Sequence, residues 1–373
     1  MFRAVLMSGA AVLLAAGSAS GGGWRISEPL LIDSNGVWPS LWEGTIAYLD
    51  GDGGAVMFYH GFSDHIYGPS SNGWEPANAN GSIAWRNTTN GGTTSEIYLW
   101  AGQLPPENVS DSPGTSDSDL DAAGNGDLIW SEDHTWLMYY DASASTTTPL
   151  GVKGVHPSLY VTTQGVATYA YQDPDTDAVK YFDGGSTHTL GAGEPDGAHP
   201  SLWDGMVAWL GPGEGSTFVR AEVFLWHEGE TTRLTDDDDE IPVPGIADND
   251  PAVWNDVVIW SRRVNGPFMP PELVLWDGMH QVQLTTTGGN HPSFQGGQVS
   301  WEEDTGLYLA DVLPIVADCN ASGQVDLTDY VDFEVCLTRP GDLTPECECF
   351  DFDGGGRVDL ADFAVFQQEF DGP

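Results

Sequence analysis

The chain has 373 residues, with 11 lysines and arginines against 56 aspartates and glutamates, giving a formal charge of −45. That balance excludes nucleic acid and anionic membrane surfaces as partners, because both require a basic face to offset phosphate charge. A hydrophobic content of 40% is still enough for a packed core, and the length predicts two or three domains.

Residues 1–20 read as a secretory signal peptide. Arg3 supplies the short basic region and Ala4 to Gly17 an apolar run too short to span a bilayer. Ala16, Ser18, Ala19 and Ser20 offer small residues for cleavage. No later stretch reaches the roughly 18 apolar residues of a membrane span. The expectation is a secreted protein, extracellular or held at the cell surface, with no membrane span after signal cleavage.

From residue 24 to 313 one unit recurs seven times. Each copy opens on a Pro-Ser-Leu-like step: Trp38-Pro39-Ser40-Leu41, Trp74-Glu75-Pro76, Asp119-Leu120-Asp121, His156-Pro157-Ser158-Leu159, His199-Pro200-Ser201-Leu202, Asp250-Pro251-Ala252-Val253 and His291-Pro292-Ser293-Phe294. The openings lie 36 to 51 residues apart, bracketing a propeller-blade period. A second short strand follows in each unit and carries an aromatic: Tyr48, Trp85, Trp130, Tyr169, Trp209, Trp260 and Trp301. A third strand comes next, from Val56–Tyr59 in the first unit to Leu307–Leu309 in the last, and several units add a weaker fourth, such as Thr232–Thr235. These runs are rich in β-branched and aromatic residues and bounded by Gly, Asp and Asn, as strands require. The seventh unit lacks its fourth strand, and Pro29–Asp33 supplies it from the other end of the repeat, closing the ring. The fold class is therefore mainly β, a seven-bladed β-propeller over residues 24–313. Six- and eight-bladed rings stay open as alternatives because units two and three diverge.

These blades resemble the TolB-type, WD-repeat-like propeller family over about four-fifths of the chain. Trp203-Asp204-Gly205 and Trp42-Glu43-Gly44 stand where that family often has Ser-Pro-Asp-Gly. The resemblance implies a fold and no single activity, since such propellers serve as scaffolds, binders and enzymes alike.

Beyond residue 317 the pattern changes to two copies of an acidic loop, 33 residues apart, each running into a helix. The first places Asp318, Asn320, Ser322, Gln324, Asp326 and Asp329 at positions 1, 3, 5, 7, 9 and 12 of a calcium loop. The second places Asp351, Asp353, Arg357, Asp359 and Asp362 at positions 1, 3, 7, 9 and 12, with Gly355 in place of the side-chain donor at position 5. Gln324 and Arg357 would offer only their backbone carbonyls. Each loop is followed by an apolar stripe at helical spacing: Leu327, Tyr330, Val331 and Leu337 in one copy, Leu360, Phe363, Ala364 and Phe370 in the other. The pair resembles the dockerin module over residues 318–371, a small α-helical calcium-loop module. That resemblance implies Ca2+ as the bound ion and a cohesin-like or surface protein as the partner. Leu327-Thr328 and Leu360-Ala361 replace the partner-reading Ser-Thr pair of cellulosomal members, which argues against a standard cohesin.

All four cysteines lie in this segment: Cys319, Cys336, Cys347 and Cys349. An even count in an exported chain predicts two disulfides, and Cys347 and Cys349 are too close in sequence to bond well with each other. Cys336–Cys347 with Cys319–Cys349 is the favoured pairing. Zinc ligation is the competing reading, disfavoured by the lack of histidine and of paired CxxC steps.

Candidate chemistry in the propeller centres on His156, His199 and His291, which share the opening position with Trp38 and Asp250. A propeller would bring them to one mouth of its channel, where they could converge on a metal or an acidic sugar. Such a site is similar to the histidine-rich propellers of some polysaccharide lyases. The structural alternative is that each histidine bonds its own blade's turn. Most tryptophans fall at inter-blade positions, with Trp42 and Trp203, beside turn glycines, expected to be exposed. The run from Asp236 to Glu240 reads as a solvated loop. The leading reading is a secreted, calcium-binding binding or scaffold protein with a polysaccharide or protein ligand on its propeller. A polysaccharide lyase or glycoside hydrolase is the alternative.

Overall fold

The computed structural model describes residues 23–51, 54–66, 73–89, 94–102, 105–193, 198–212, 221–236, 248–263, 270–278, 280–286, 288–315, 317–319, 325, 327–337, 345–352 and 356–370. The signal segment, Asp237–Glu240, and the loop residues Asn320, Ser322, Gln324, Asp326 and Asp353 lie outside them. The chain divides into two compact units, one of Trp24–Leu313 and one that includes the residues from Pro314 onward. No helix among the described residues is long and apolar enough to cross a membrane.

The first unit is a seven-bladed β-propeller. Six blades are four-stranded antiparallel sheets, running from strand Gly36–Trp42 in blade 1 to strand Gln281–Gln283 at the end of blade 6. Blade 7 combines Asn290–Gln295, Gln298–Glu303 and Gly306–Ile315 with the strand Leu30–Asp33, which pairs antiparallel through Leu30 with Leu309 and Leu31 with Tyr308. The ring is thus closed by the strand expected from the sequence. A further strand, Gly23–Ile26, also pairs with Gly306–Ile315 and was not anticipated.

Local chemistry fixes the hairpins. Glu43-Gly44, Asn80-Gly81, Asp204-Gly205, Asn255-Asp256 and Gly296-Gly297 all have positive φ at both turn residues, the geometry that matches the twist of flanking strands. The second strands carry the core. Tyr48, Trp85, Trp130, Trp209, Trp260 and Trp301 are completely buried, each at the same place in its blade. They pack in separate clusters between neighbouring blades, such as Trp130 with Ile97 and Leu128, and Trp260 with Leu225 and Val258.

The Pro-Ser-Leu step proves to be an inter-blade clasp. Ser40 Oγ accepts the backbone N–H of Asn78 at 2.9 Å, Ser158 Oγ that of Leu202 at 3.1 Å, Ser201 Oγ that of Val253 at 3.1 Å, and Ser293 Oγ that of Leu41 at 2.9 Å. Asp121 does the same for Leu159 at 2.8 Å. In each case the acceptor belongs to one blade and the donor to the next. At the two remaining joints the equivalent residues are Ala77 and Ala252, which have no side-chain oxygen to offer.

The second unit contains helix α1 (Leu327–Leu337), a short 3-10 helix (Pro345–Phe350) and helix α2 (Leu360–Glu369). Its core gathers Val325, Phe333, Phe350, Val358 and Phe366 around Cys336 and Cys347. The disulfides are Cys319–Cys349 and Cys336–Cys347, the favoured pairing. The expected apolar stripes form the core faces only in part: Leu337, Phe363 and Phe370 pack against the core. Leu327, Val331 and Leu360 are 55%, 57% and 75% exposed, while Phe333, Cys336 and Phe366 turn inward. The Cys336 cross-link and the aromatic cluster around Phe333 decide which face of α1 is covered.

Candidate propeller mouth and acidic loops

Each inner strand begins with the same distortion. Trp38, Glu75, Asp119, His156, His199, Asp250 and His291 all adopt left-handed backbone conformations, with φ between 42° and 56°. Six of them precede proline, and in six blades the pairing register slips at this point, as a β-bulge does. A left-handed conformation costs roughly 1–2 kcal/mol for a residue with a side chain. Each blade therefore spends backbone energy to re-aim one side chain, and all seven residues line one cavity of about 500 Å³. The predicted residues His156, His199, Asp250 and His291 are brought together there. Glu75 and Asp119 complete the ring and were not weighed as site residues. In blade 2 the equivalent residue is Glu75, one position after the Trp74 on which the repeat was aligned.

The ring is linked across blades. The Trp38 indole stacks on the His291 imidazole, with centroids 4.6 Å apart and planes 18° from parallel. His291 Nδ1 lies 3.1 Å from Glu302 Oε1, which also accepts the Trp38 backbone N–H, and His291 Nε2 lies 3.7 Å from Asp250. His156 Nδ1 lies 3.3 Å from Asp119 Oδ1, and the Asp119 backbone N–H donates to Glu75 Oε2 at 2.7 Å. Arg86 closes on Glu75 Oε1 at 3.0 Å. The histidines thus bond mainly to neighbouring blades or to the second strand, rather than to their own turns.

Burial alone would lower His156, but the hydrogen bond and charge of Asp119 outweigh it and raise this imidazole above its ordinary value. His291 is raised likewise, with burial opposed by Glu302 and Asp250. Burial of Asp119 is overcome by His156, which holds the carboxyl below its usual range. Glu75 is pushed up by burial, which Arg86 offsets only in part. His199 goes the other way, lowered by burial and by the adjacent His156, whose ring centroid is 4.5 Å away. Among the described residues, His199 is the one ring histidine whose imidazole has no hydrogen-bond or ionic partner. The mouth therefore sets an imidazole shifted downward beside one shifted upward.

Trp74, paired in register with Arg86, lies at the start of the inner strand of blade 2, and Trp136, paired with Glu132, starts the third strand of blade 3, both at the ring's end of their blades. Trp38, Trp74 and Trp136 are 44%, 48% and 45% exposed. Trp42 and Trp203, expected to be exposed, are instead half-buried, lining a second cavity at the opposite ends of the inner strands.

In the C-terminal unit the two loops repeat one hydrogen bond. Asp329 Oδ1 accepts the Cys319 backbone N–H at 3.1 Å, and Asp362 Oδ1 accepts that of Phe352 at 2.8 Å. Asp318, Asp329 and Asp362 are completely buried, and Asp351 Oδ1 is buried without a hydrogen-bond partner among the described residues. Buried carboxylates with an orphaned oxygen fit a hard cation, because such charge is costly unless compensated. Asp359 is engaged otherwise: it caps α2 through the Ala361 N–H at 2.8 Å and meets Arg357 Nε at 3.0 Å. Among the described residues, no three His, Cys, Asp or Glu groups converge as a metal site.

No known sequence family matches the chain, and no curated protein does. Solved structures do. The β-propeller domain of the Trilobed protease from Pyrococcus furiosus matches with a TM-score of 0.53 at 10% identity, over 81% of this chain and 98% of that one. Acylaminoacyl peptidase from Pyrococcus horikoshii matches with a TM-score of 0.50 at 11% identity, over 76% of this chain and 52% of that one. The chain thus spans about half the length of that peptidase. TolB from Acinetobacter baumannii matches at 14% identity and a TM-score of 0.44, over 67% of this chain and 66% of that one. At such identities the likeness is one of fold, and the fold is the seven-bladed β-propeller.

Proposed function

We propose that this chain is a secreted binding protein, its propeller mouth engaging a polysaccharide and its C-terminal module docking to a cohesin-like or surface partner with Ca2+ bound. The observation that carries the reading is the ring itself. Seven strained residues converge on one cavity, and most are locked by cross-blade contacts, so the binding surface is preorganised at little entropic cost. Exposed Trp38, Trp74 and Trp136 would supply stacking faces for sugar rings, and the carboxylates and imidazoles would supply hydroxyl partners. The signal-like leader and the two disulfides support export.

For the module, the first loop would use Asp318, Asn320, Ser322, the Gln324 carbonyl, Asp326 and Asp329. The second would use Asp351, Asp353, the Arg357 carbonyl and Asp362, with Asp359 reaching the ion only if it leaves Arg357. The orphaned Asp351 oxygen supports this assignment.

One feature favours the enzymatic alternative, a polysaccharide lyase. His199, shifted downward, lies with its ring centroid 4.5 Å from that of His156, shifted upward, and would pair a candidate base with a group suited to meet a uronate carboxylate. Capture on neutral and acidic polysaccharides, with and without calcium, tests the binding reading, and no retention on any of them would overturn it. Unsaturated product that vanishes in His199→Ala would establish the lyase instead.

A further inference from the structure

The second cavity, of about 420 Å³, lies at the far ends of the inner strands and meets the first at the serine clasps. Its wall is aromatic on one side. Tyr160, Trp203 and Phe294 from blades 4, 5 and 7 line it, and Trp254 of blade 6, outside the lining, links Trp203 to Phe294 in a chain of ring contacts with centroids 5.0, 5.9 and 5.7 Å apart. Trp42 of blade 1 continues the lining and reaches across blade 2 onto the backbone of Gly124 in blade 3. A Cβ at Gly124 would come within 1.9 Å of the Trp42 ring, so glycine is needed there for space. At the positions equivalent to Trp42, blades 2 and 3 carry Ala79 and Ala123, which leave the indole room to lie flat.

The polar groups of this cavity are mostly donors in want of acceptors. Trp42 Nε1 has no hydrogen-bond partner among the described residues, but it is buried away from the cavity as well as from solvent. Gln295 uses its carbonyl oxygen to accept the Glu43 N–H at 2.9 Å, which leaves its amide NH2 without a partner among the described residues. The Trp203 Nε1–H and the Tyr160 hydroxyl are likewise unbonded among the described residues. A purely apolar guest would leave these donors stranded, and they offer a cation no acceptor, Asp121 Oδ2 being engaged by Ser158 and Leu159. An anion would meet the Asp121 carboxylate on the cavity wall. What remains is a neutral molecule with flat apolar faces and a rim of acceptor oxygens.

We propose that this cavity is a binding site for a neutral saccharide, one pyranose face resting on Trp203 and its hydroxyl oxygens accepting from the Gln295 amide. The site is separate from the ionisable mouth and does not depend on what binds there. The probes are cellobiose, lactose and maltose, titrated into the full-length protein by calorimetry and by tryptophan fluorescence. Saturable binding of at least one of them is expected. Trp203→Ala should weaken it at least tenfold, the effect of losing one stacking contact at about 1.4 kcal/mol per decade. Gln295→Glu keeps the acceptor for Glu43 while removing the NH2 donor, so it preserves the fold and should weaken binding several-fold. No saturable binding of any of the three sugars overturns the proposal. Binding that survives both substitutions also overturns it, and its loss in His199→Ala would then place the sugar at the first mouth, leaving the proposed function standing.

Discussion

Ser158 Oγ accepts the backbone N–H of Leu202 and donates to Asp121 Oδ2, both at 3.1 Å, so one hydroxyl ties three consecutive blades together. Ser158→Ala removes the acceptor from one buried N–H and the donor from one buried carboxylate. The expected loss is about 1–3 kcal/mol in chemical denaturation. The reverse experiment is Ala252→Ser, which restores the missing oxygen at the joint between blades 6 and 7 and should add about 0.5–1.5 kcal/mol. An unchanged midpoint in both variants would show that the clasps carry no stability.

The ring histidines should titrate in opposite senses. NMR of the imidazole protons is expected to place His156 and His291 above the ordinary value near 6.5, and His199 below it. His156→Gln removes the imidazole whose charge lowers His199 and should move that residue upward, while Asp119 rises as it loses its partner. For stability, the raised His156 contributes fully below about pH 6.5 and loses its contribution as pH rises through its folded value. Lowered Asp119 contributes above about pH 4 and loses its share as pH falls through its own. The pair is therefore most stabilising between these limits. A His199 that titrates above His156 would contradict the electrostatic account of the mouth.

Asp117 is completely excluded from solvent, and its carboxyl receives Trp130 Nε1 at 3.1 Å and Ser112 Oγ at 3.0 Å. Burial pushes it up to about 6, with the nearby Glu96 adding to the rise and the hydrogen bonds opposing it. A raised carboxyl favours the folded state most at low pH. Its contribution should be lost as pH climbs from about 4 to 6, amounting to up to about 3 kcal/mol. Asp117→Asn is expected to flatten this part of the profile, so the difference between variant and parent should shift with pH across that interval. A constant difference from pH 4 to 7 would sink the assignment.

Both disulfides lie in the C-terminal unit, whereas all 15 tryptophans lie between residues 24 and 301. Reduction should destabilise the C-terminal helices by about 2–5 kcal/mol, visible in far-ultraviolet circular dichroism, and leave the tryptophan-reported transition in place. Calcium should stabilise the same helices by mass action, and Asp329→Asn with Asp362→Asn should abolish that gain. Calorimetry showing no calcium uptake by the full-length protein would remove the metal from the proposal.

The blades were legible because each repeats the same local chemistry: a serine that clasps, a glycine or Asn/Asp turn, and an aromatic that fills the gap between sheets. Blade 2 was read one residue out of register because Trp74 imitates Trp38, while Glu75 occupies the bulge. The cross-blade contacts were not legible. The shared opening position and the closing strand bring Trp38 and His291 to adjacent blades, but the stacking of their rings and the Glu302 contact they share are visible only in the structure. The helices misled for a different reason. Leu327, Val331 and Leu360 follow helical spacing, but Phe333 and the Cys336–Cys347 bond claim the interior first.

The strand Leu30–Asp33, near the start of the chain, completes the blade made last. Its partner residues, Leu307 to Leu309, lie some 280 positions away in sequence, so the sealing contact has a very high contact order. Blades 1 to 6 can form in succession from local hairpins, but the ring can close only after the whole repeat array exists. Closing that seam is the most non-local pairing in the propeller, which predicts that it forms late in folding, after the six local blades.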